Sequence, residues 1–395
     1  MEKAGSAMVC GYEFKLPGKV VCREHGAGEL AKPVTRMGGT RILLVTDPGV
    51  RNAGLLDPVL SVSGEGGPEV AAIFDDVGQD PDFDTVSRCS EAARRSGADC
   101  LIAVGGGSVI DTAKVVLIAL QEGDDLTRFR YREYFSKGPL LPLVAIPTTA
   151  GTGSESTHIA MIVDPAETLK VVFHGSGLAP RLALLDPFMT VTLPPRLTAA
   201  TGMDALCHAV ESLHSNVAEP VTDGLAVKAL ELIGANILRA FHQGDDLEAR
   251  AGMLVGSNIA GMAAANAYVA LIHCLAHAMG ARFDVHHGVA VALVLTRGME
   301  HNLRFEGVPA AYRKVARGLG LDVDRDDDDT AARRAIERIR ELIADLELPR
   351  TLREVGIPRE SLEDLAGSAM QDRSFALNPG RTSPEEVLAL LEKAY

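Results

Sequence analysis

The chain has 395 residues, a formal net charge of −14 at pH 7 and a hydrophobic fraction of 47%. This length exceeds the size at which a single hydrophobic core keeps growing, so two domains with sizeable cores are predicted. An acidic surface repels phosphate backbones, and aromatic residues make up only 4% of the chain with no Trp, so nucleic acid is excluded as an expected partner.

The cysteines and the apolar stretches indicate the compartment. The 6 cysteines show no CxxC pair and no disulfide framework, which is typical of a reducing compartment. The first ten residues lack an apolar signal core. The longest apolar stretch, at about 251–279, contains two Asn and two His among many Gly and Ala, which favours a buried pair of core helices over a membrane span. We therefore expect a cytoplasmic protein without a membrane partner.

In the N-terminal half, short apolar runs alternate with helical stretches such as Asp84–Ser96 and Ser108–Leu120. An entry strand and turn are predicted at 13–28. The later runs are typical of strands buried on both faces of a parallel sheet: Arg41–Thr46, Val70–Phe74, Cys100–Val104 and Pro142–Ile146. This alternation predicts a doubly wound α/β domain.

The pattern changes near residue 190. Beyond it the chain is rich in Ala, Leu, Glu and Arg, with helical periodicity and no convincing strand. We therefore predict an α/β domain over 1–190 and an all-helical domain over 191–395. The acidic run Asp324–Asp329 is interpreted as a solvated loop before a helix at Thr330–Leu346, because nothing constrains it to bind a metal.

Two loops after predicted strands are suited to bind an anionic ligand. At Gly105–Gly107 the glycines let the backbone approach a phosphate, and the free N–H groups of the following helix attract it. Ser108 and Asp111 are predicted to cap that helix, and a plain βα turn is the alternative for the glycines alone. The second loop, Pro147–Glu155, is dense in hydroxyls and glycine. Two such loops at the carboxyl ends of parallel strands favour a ligand site, although no G-x-G-x-x-G fingerprint occurs.

Asp47 follows the first of these buried runs. It is placed to accept a hydrogen bond from a ribose 2′-hydroxyl and to repel a 2′-phosphate, which predicts a preference for NAD(H) over NADP(H). A turn-forming Asp before Pro48 is the alternative interpretation, and the residue alone leaves it open.

A carboxylate and an imidazole lie four residues apart in a helix predicted at Thr198–Ser212. At this spacing Asp204 and His208 share one helix face and can point into one small volume. Because an unpaired carboxylate is costly in an otherwise apolar helix face, a bound cation at Asp204 would relieve the cost.

Further imidazoles follow in two segments. His273 and His277 repeat the four-residue spacing, and His286 and His287 follow on a predicted loop. One oxygen ligand with two or three imidazole nitrogens suits a divalent metal such as Fe or Zn. The spacing does not decide which of these four histidines are ligands.

Taken in order and spacing from about residue 13 to 300, these motifs resemble the iron-containing alcohol dehydrogenase family. The resemblance is carried by Leu43–Asp47, Gly105–Lys114, Ile146–Glu155, Asp186–Pro187, Thr201–His208, His273–Gly280 and His287–Gly288. It implies an N-terminal α/β dinucleotide-binding domain, an all-helical metal-binding domain and a cleft between them.

The resemblance also assigns roles to individual residues. It implies that the metal is held by Asp204, His208, His273 and His287, and that His277 lies near the nicotinamide and takes part in proton transfer. His286 matches a variable position and is left out of the ligand set. The residues implied to contact the cofactor are Gly106, Gly107 and Ser108 at the pyrophosphate, then Thr148, Thr149, Thr152 and Lys170.

The implied activity is metal-dependent hydride transfer between NAD(H) and a small alcohol or aldehyde. The implied metal is Fe²⁺, with Zn²⁺ as the alternative ion, and a homodimer or higher homo-oligomer is expected. Lys170–His174 and His286–Gly288 resemble members acting on small ω-hydroxy acids. We therefore expect a 4-hydroxybutyrate/succinate semialdehyde or phosphonoacetaldehyde type of substrate, with a plain alcohol or diol equally allowed.

Two other functions stay open. A glycerol dehydrogenase or dehydroquinate synthase shares the glycine-rich loop and a metal but usually lacks a pair like Asp204 and His208. A metal- or nucleotide-binding sensor without catalysis would show a missing ligand or a broken glycine loop, and the sequence shows neither.

Overall fold

The computed structural model describes residues 11–15, 18–63, 67–130, 132–164, 166 and 169–395. The first ten residues, to which the prediction of no signal core applies, lie outside this set. The strands are β1 (Lys19–Cys22), β2 (Arg41–Val45), β3 (Glu69–Phe74), β4 (Cys100–Gly105), β5 (Leu143–Pro147), β6 (Ile159–Asp164), β7 (Leu169–His174) and β8 (Leu182–Leu185).

The helices fall into two groups along the chain. Those before residue 190 are α1 (Ala31–Arg36), α2 (Pro48–Asn52), α3 (Asp57–Leu60), α4 (Phe83–Ser96) and α5 (Gly107–Glu122). Those after it are α6 (Pro195–His214), α7 (Pro220–His242), α8 (Leu247–Ala267), α9 (Leu271–Phe283), α10 (His287–Asn302), α11 (Val308–Gly318), α12 (Asp328–Asp345), α13 (Leu362–Gln371) and α14 (Pro384–Ala394). The predicted boundary at residue 190 falls between β8 and α6.

Six strands form one parallel sheet in the order β1-β8-β5-β4-β2-β3. Alternate residues of β4 enter two different cores, which explains why the run is apolar throughout. Leu101 and Ala103 pack with α4 and α5, whereas Ile102 and Val104 pack with the layer of α1, α2 and α3. The predicted doubly wound parallel sheet is therefore confirmed.

The strand predictions missed β8 and a separate antiparallel hairpin, β6–β7. The residues of the hairpin alternate in their environment. Ala160, Ile162 and Phe173 enter the core beside α5, whereas Met161 and Val172 line a large cavity. The pairing partner of each hairpin strand is the other strand, so the parallel-sheet pattern offered no signal for it.

The helical part confirms three predictions and corrects one. The helix predicted at Thr198–Ser212 lies within α6, and the helix predicted at Thr330–Leu346 matches α12. The apolar stretch at 251–279 forms α8 and α9, a buried pair. The prediction that His287 lies on a loop was wrong, because His287 is the first residue of α10 and His286 is its N-cap.

Within the described ranges no single helix is long and apolar enough to cross a membrane. The pair α8 and α9 reaches the necessary length and apolar composition only when its two helices, which are bent by 103° relative to each other, are taken together.

Gly288 lets α10 cross α6 with the two backbones in contact. A Cβ at Gly288 would lie 2.0 Å from the carbonyl oxygen of Ala200 and 2.5 Å from its carbonyl carbon. Since both atoms belong to the backbone, a side-chain movement cannot relieve the overlap. This close approach places His287, one residue earlier, beside the helix that carries Asp204.

We expect Gly288→Ala to destabilise the protein by about 1–3 kcal/mol or more, because the added methyl group must push α10 away from α6. Thermal unfolding followed by circular dichroism measures this as a lower Tm. The matched control is Gly224→Ala in α7, where a Cβ meets nothing within 4 Å and alanine is the better helix former. An unchanged Tm for Gly288→Ala would contradict the backbone contact.

Candidate active site

A cavity of about 1420 Å³ opens where β2, β4 and β5 end and extends to α6, α9 and α10. These strands are neighbours in the sheet, so the loops that follow them meet at one edge. The cavity is lined by every residue predicted for the site: Asp47, Gly106, Gly107, Ser108, Thr148, Thr149, Thr152, Lys170, Asp204, His208, His273, His277 and His287. The structure therefore brings residues from both halves of the chain to one volume, while their individual roles stay predictions.

Three imidazoles surround one oxygen of Asp204 at the helical end of the cavity. Oδ1 of Asp204 lies 3.4 Å from Nε2 of His273, 3.4 Å from Nε2 of His287 and 3.8 Å from Nδ1 of His208. A tetrahedral site with ligand bonds of about 2.0–2.2 Å places its ligand atoms about 3.4 Å apart. Asp204, His208 and His273 have ligand atoms within 4.8 Å of one another, a spacing at which they can share one ion, and His287 adjoins this group through Asp204.

The hydrogen-bonding state of these atoms supports the same interpretation. Oδ1 of Asp204, Nδ1 of His208 and Nε2 of His273 are buried and lack a hydrogen-bond partner among the described residues. Leaving buried polar atoms unpaired is costly, and a cation between them removes that cost. The residues present thus fit a divalent metal.

The protonation states of Asp204 and His287 are those of metal ligands, whereas for His273 the effect of burial is outweighed by neighbouring groups that hold its pKa well above the usual range. Burial would raise the pKa of Asp204, but the adjacent imidazoles, led by His208 and His287, hold the pKa well below its usual range. Burial lowers the pKa of His287 to about 4, so its ring is neutral and keeps a lone pair for a metal.

Glu211 holds the ring of His273 from the side away from Asp204. Its Oε2 lies 2.6 Å from Nδ1 of His273, and its carboxylate also accepts hydrogen bonds from the backbone N–H groups of Ala270 and Ile272. Burial would raise the pKa of Glu211, but His273, His214 and the hydrogen bond from the Ala270 N–H together lower the pKa to about 2. The ionised carboxylate therefore accepts a hydrogen bond from the Nδ1–H group of His273, which directs Nε2 towards Asp204 and the proposed metal.

A second cluster beside this one, formed by Cys207, Glu211 and His273, is unsuited to an ion. Burial raises the pKa of the Cys207 thiol to about 12, so its sulfur stays protonated. The Glu211 oxygens are already hydrogen-bonded. This cluster supports the first one and does not form a separate site.

His277 lies against the proposed metal ligands, but its Nδ1 faces a different side chain. Its ring stacks on His287, with centroids 5.4 Å apart and planes inclined by 18°. Its Nδ1 lies 2.8 Å from Oδ2 of Asp372. His277 is therefore held beside the proposed ligands by a carboxylate 95 residues further along the chain.

The two loops predicted to bind an anion contact each other at the opposite end of the cavity. The N–H of Thr148 donates to the carbonyl of Gly105 across β4 and β5. A Cβ at Gly107 would lie 2.7 Å from the methyl carbon of Thr152, so only glycine permits this approach without a shift. The start of α5 and the hydroxyl-rich loop thus form one surface.

The prediction that Ser108 and Asp111 cap α5 was wrong. The helix begins at Gly107 with Gly106 as its N-cap, and no side chain of the described residues caps it. Ser108 Oγ instead donates to the carbonyl of Gln79, and Asp111 accepts hydrogen bonds from Ser154 Oγ and the N–H of Met161. The uncapped first turn of α5 leaves its N–H groups available to an anion.

Lys114, a buried residue of α5, holds the end of the hydroxyl-rich loop by hydrogen bonds. Its buried ammonium donates to Ser154 Oγ at 2.8 Å, Thr157 Oγ1 at 2.9 Å and the carbonyl of Ile159 at 2.6 Å. Burial lowers the pKa of Lys114 to about 8. The residue shapes the loop through these bonds.

Asp47 and Lys170 occupy the rim of the cavity. Asp47 is the N-cap of α2, and its Oδ1 accepts a hydrogen bond from the N–H of Val50 at 2.9 Å. Its Oδ2 has no hydrogen-bond partner within the described ranges. Lys170 Nζ forms an ion pair with Asp80 Oδ1 at 2.6 Å. Both the turn-forming role and a ligand-facing role of Asp47 are thus compatible with its position.

The residues that the sequence analysis missed are Glu211, Asp372 and Lys114. Glu211 had a usable signal, because it lies seven residues after Asp204 and so on the same helix face. Asp372 had none, since its contact with His277 forms only in the folded chain.

Two sequence models of one enzyme family match the chain. The model described as iron-containing alcohol dehydrogenase matches residues 17–187. The model of the C-terminal part of the Fe-containing alcohol dehydrogenase family matches residues 198–395.

Individual proteins are similar over nearly the whole chain. A choline dehydrogenase of Bacillus subtilis (strain 168) is 36% identical over 376 residues, which cover 93% of this chain and 91% of that protein. An NAD-dependent methanol dehydrogenase of Bacillus methanolicus is 32% identical over 383 residues, covering 96% and 99%. The solved structure of a 1,3-propanediol oxidoreductase superposes with a TM-score of 0.93 at 33% identity and covers 98% of this chain and 100% of that one.

We expect Glu211→Gln to weaken metal binding by about 10- to 100-fold, because the neutral amide no longer fixes the Nδ1–H tautomer of His273. Equilibrium competition between the protein and a chelator for Zn²⁺ or Co²⁺ measures this change. The control is Glu231→Gln on α7, where the carboxylate pairs with Lys228 at the surface. Equal metal affinity in both variants and the parent would show that Glu211 does not orient His273.

Proposed function

The chain belongs to the iron-containing alcohol dehydrogenase family and is an alcohol oxidoreductase, and from this premise we propose that it transfers hydride between NAD(H) and a small alcohol or aldehyde. We assign Fe²⁺ as its metal, with Zn²⁺ as the alternative ion. The observation that carries the proposal is the convergence of Asp204 and three imidazoles in the same cavity as the anion-binding loops after β4 and β5.

Alcohol oxidation removes a hydride from carbon and a proton from oxygen, so the site must provide for both. When bound, the metal supplies a Lewis acid for the oxygen and the nicotinamide accepts the hydride. Asp204, His208, His273 and His287 are the proposed ligands, and the imidazole of His277 accepts the proton. Aldehyde reduction uses the same groups in reverse.

The proposed dinucleotide site extends from the metal ligands to the sheet edge. Its pyrophosphate contacts are Gly106, Gly107 and Ser108 at the uncapped start of α5, where N–H groups and the helix dipole favour an anion. Thr148, Thr149, Thr152 and Lys170 line the same channel. Asp47 lies at its rim, where its carboxylate is proposed to accept from the ribose 2′-hydroxyl.

We infer the substrate class from two segments of the cavity wall, Lys170–His174 and His286–Gly288, which resemble members of the family acting on small ω-hydroxy acids. Lys170, His174 and His286 line the cavity, and an ammonium group pairs well with a carboxylate or phosphonate. This supports a short aldehyde with an anionic tail, of the succinate semialdehyde or phosphonoacetaldehyde type. The relative in B. subtilis is named a choline dehydrogenase, and choline carries a cationic tail, so a cationic aldehyde is the informative contrast.

The competing functions are less well supported. A glycerol dehydrogenase-like or dehydroquinate synthase-like enzyme does not usually carry an Asp204/His208 pair. A non-catalytic sensor predicts a missing ligand or a blocked loop, whereas the four proposed ligands line one cavity with both loops. We also propose a cytoplasmic homodimer or higher homo-oligomer, with the domain boundary at residue 190.

Oxidation of NADH, followed by absorbance, tests the proposal with butanal, succinate semialdehyde and betaine aldehyde as neutral, anionic and cationic probes. With added Fe²⁺ or Zn²⁺ we expect metal-dependent turnover, fastest with succinate semialdehyde. His273→Ala should lose both the bound metal and turnover. No turnover with any aldehyde would contradict the proposed function, whereas fastest turnover with betaine aldehyde would contradict only the substrate class.

Asp47→Gly is expected to reduce the preference for NADH over NADPH, measured as the ratio of kcat/KM values, by about tenfold. Removing one charge near a 2′-phosphate is worth roughly that much at an effective dielectric between those of water and protein. Glycine is tolerated as an N-cap, so α2 should persist. Asp57→Gly, at an exposed position on α3, should leave the ratio unchanged. An unaltered ratio for Asp47→Gly would leave Asp47 as a turn residue only.

A further inference from the structure

The only carboxylate in contact with the His277 ring among the described residues is that of Asp372. Oδ2 of Asp372 lies 2.8 Å from Nδ1 of His277, and the two side chains are 25% and 17% exposed. The contact therefore has the length of a charge-assisted hydrogen bond and is shielded from most of the solvent. No residue identified from the sequence motifs accounts for it.

The backbone holds Asp372 in this position. Asp372 ends α13 and is the N-cap of a short 3-10 helix, Arg373–Leu377. Its Oδ1 accepts a hydrogen bond from the N–H of Ser374 at 2.9 Å. One carboxylate oxygen is thus fixed by the chain, which leaves the other aimed at His277.

The segment after Asp372 is itself anchored to the helical core. The N–H of Asn216 donates to the carbonyl of Leu377 at 3.0 Å, and its side-chain amide donates to the carbonyl of Asn378 at 2.6 Å. The amides of Asn302 and Asn378 form a reciprocal pair of hydrogen bonds at 2.9 and 3.0 Å. Asp372 therefore belongs to a rigid support.

An ionised carboxylate can only accept a hydrogen bond, so it selects one imidazole tautomer. Burial would raise the pKa of Asp372, but the hydrogen bond and charge of His277, together with the hydrogen bonds from Ser374, lower the pKa to about 2. Nδ1 of His277 must then carry the hydrogen, and Nε2 keeps the lone pair. None of the described residues donates to or accepts from that Nε2.

We infer that Asp372 is a positioning residue that fixes the tautomer and the ring orientation of His277, so that Nε2 is the atom that exchanges a proton with the substrate. The proton-transfer part rests on the proposed function, whereas the tautomer does not. During alcohol oxidation the hydroxyl O–H bond breaks and its proton forms a bond to Nε2. The hydride passes from the carbon of the same alcohol to the oxidised nicotinamide, so the alcohol loses one proton and one hydride and becomes the aldehyde.

Two variants separate the contact with His277 from the helix cap. Asp372→Ser keeps an oxygen that can accept from the Ser374 N–H but is too short to reach the imidazole. Asp372→Asn keeps the cap and presents an amide N–H to Nδ1, which favours the opposite tautomer. We expect kcat to fall by at least about tenfold in the Ser variant and further in the Asn variant, as for other oriented imidazoles, with KM for NADH within about twofold.

A double-mutant cycle tests whether Asp372 acts through His277. In a His277→Ala background, Asp372→Ser should change kcat by less than about twofold, because no ring remains to be positioned. Multiplicative losses in the double variant would overturn the inference. Asp327→Ser, which replaces a capping Asp at the start of α12, is the control and should leave kcat and the cycle unaffected.

The tautomer can be read without any turnover. Long-range ¹H–¹⁵N spectra of Zn²⁺-loaded protein labelled at histidine should show protonated Nδ1 and bare Nε2 for His277, whose signals are assigned by their loss in His277→Ala. Asp372→Asn should move the hydrogen to Nε2. A wild-type ring protonated at Nε2 alone would overturn the inference. Because this readout needs no substrate, it stays decisive if the aldehyde panel fails or Asp372→Ser does not fold.

Discussion

The arrangement depends on one buried carboxylate. Asp204 is only 3% exposed, and its Oδ1 has no hydrogen-bond partner in the described part of the chain. Such an atom is tolerated in a core only where another group compensates its charge. The three imidazoles come from α6, α9 and the first residue of α10. The crossing of these helices therefore brings the imidazoles to one carboxylate, in the arrangement expected for a shared ion.

The α/β half and the helical half of the chain are in direct backbone contact beside the cavity. A Cβ on Gly153, in the loop after β5, would lie 2.7 Å from the Cα of Gly261 in α8, so the two backbones touch. Beside them, Asn258 on α8 donates to Glu155 at 2.8 Å and to Ser156. The hydroxyl-rich loop is therefore attached to α8, which packs against α6, the helix that carries two of the proposed metal ligands. Small shifts in one half must be felt in the other, because backbone contacts cannot be absorbed by side-chain rotation.

Sequence patterns were informative where an interaction is periodic or local. The buried runs at β2, β4 and β5 were predicted within two residues, and the spacing of Asp204 and His208 indicated a shared helix face. Non-local contacts left no such trace. Nothing near Asp372 in the chain indicates a partner 95 residues away, and the β6–β7 hairpin pairs outside the main sheet. The supposed cap at Ser108 and Asp111 failed because tertiary partners, Gln79 and Ser154, compete for those side chains.

The alternation of the β6–β7 hairpin has a consequence for how this scaffold can diverge. Ala160, Ile162 and Phe173 are committed to the core, whereas Met161 and Val172 border the cavity. Selection can therefore change the wall of the cavity at every second position while the residues between them preserve stability. In this one hairpin, the residues that can change ligand specificity and the residues that stabilise the fold are therefore different ones.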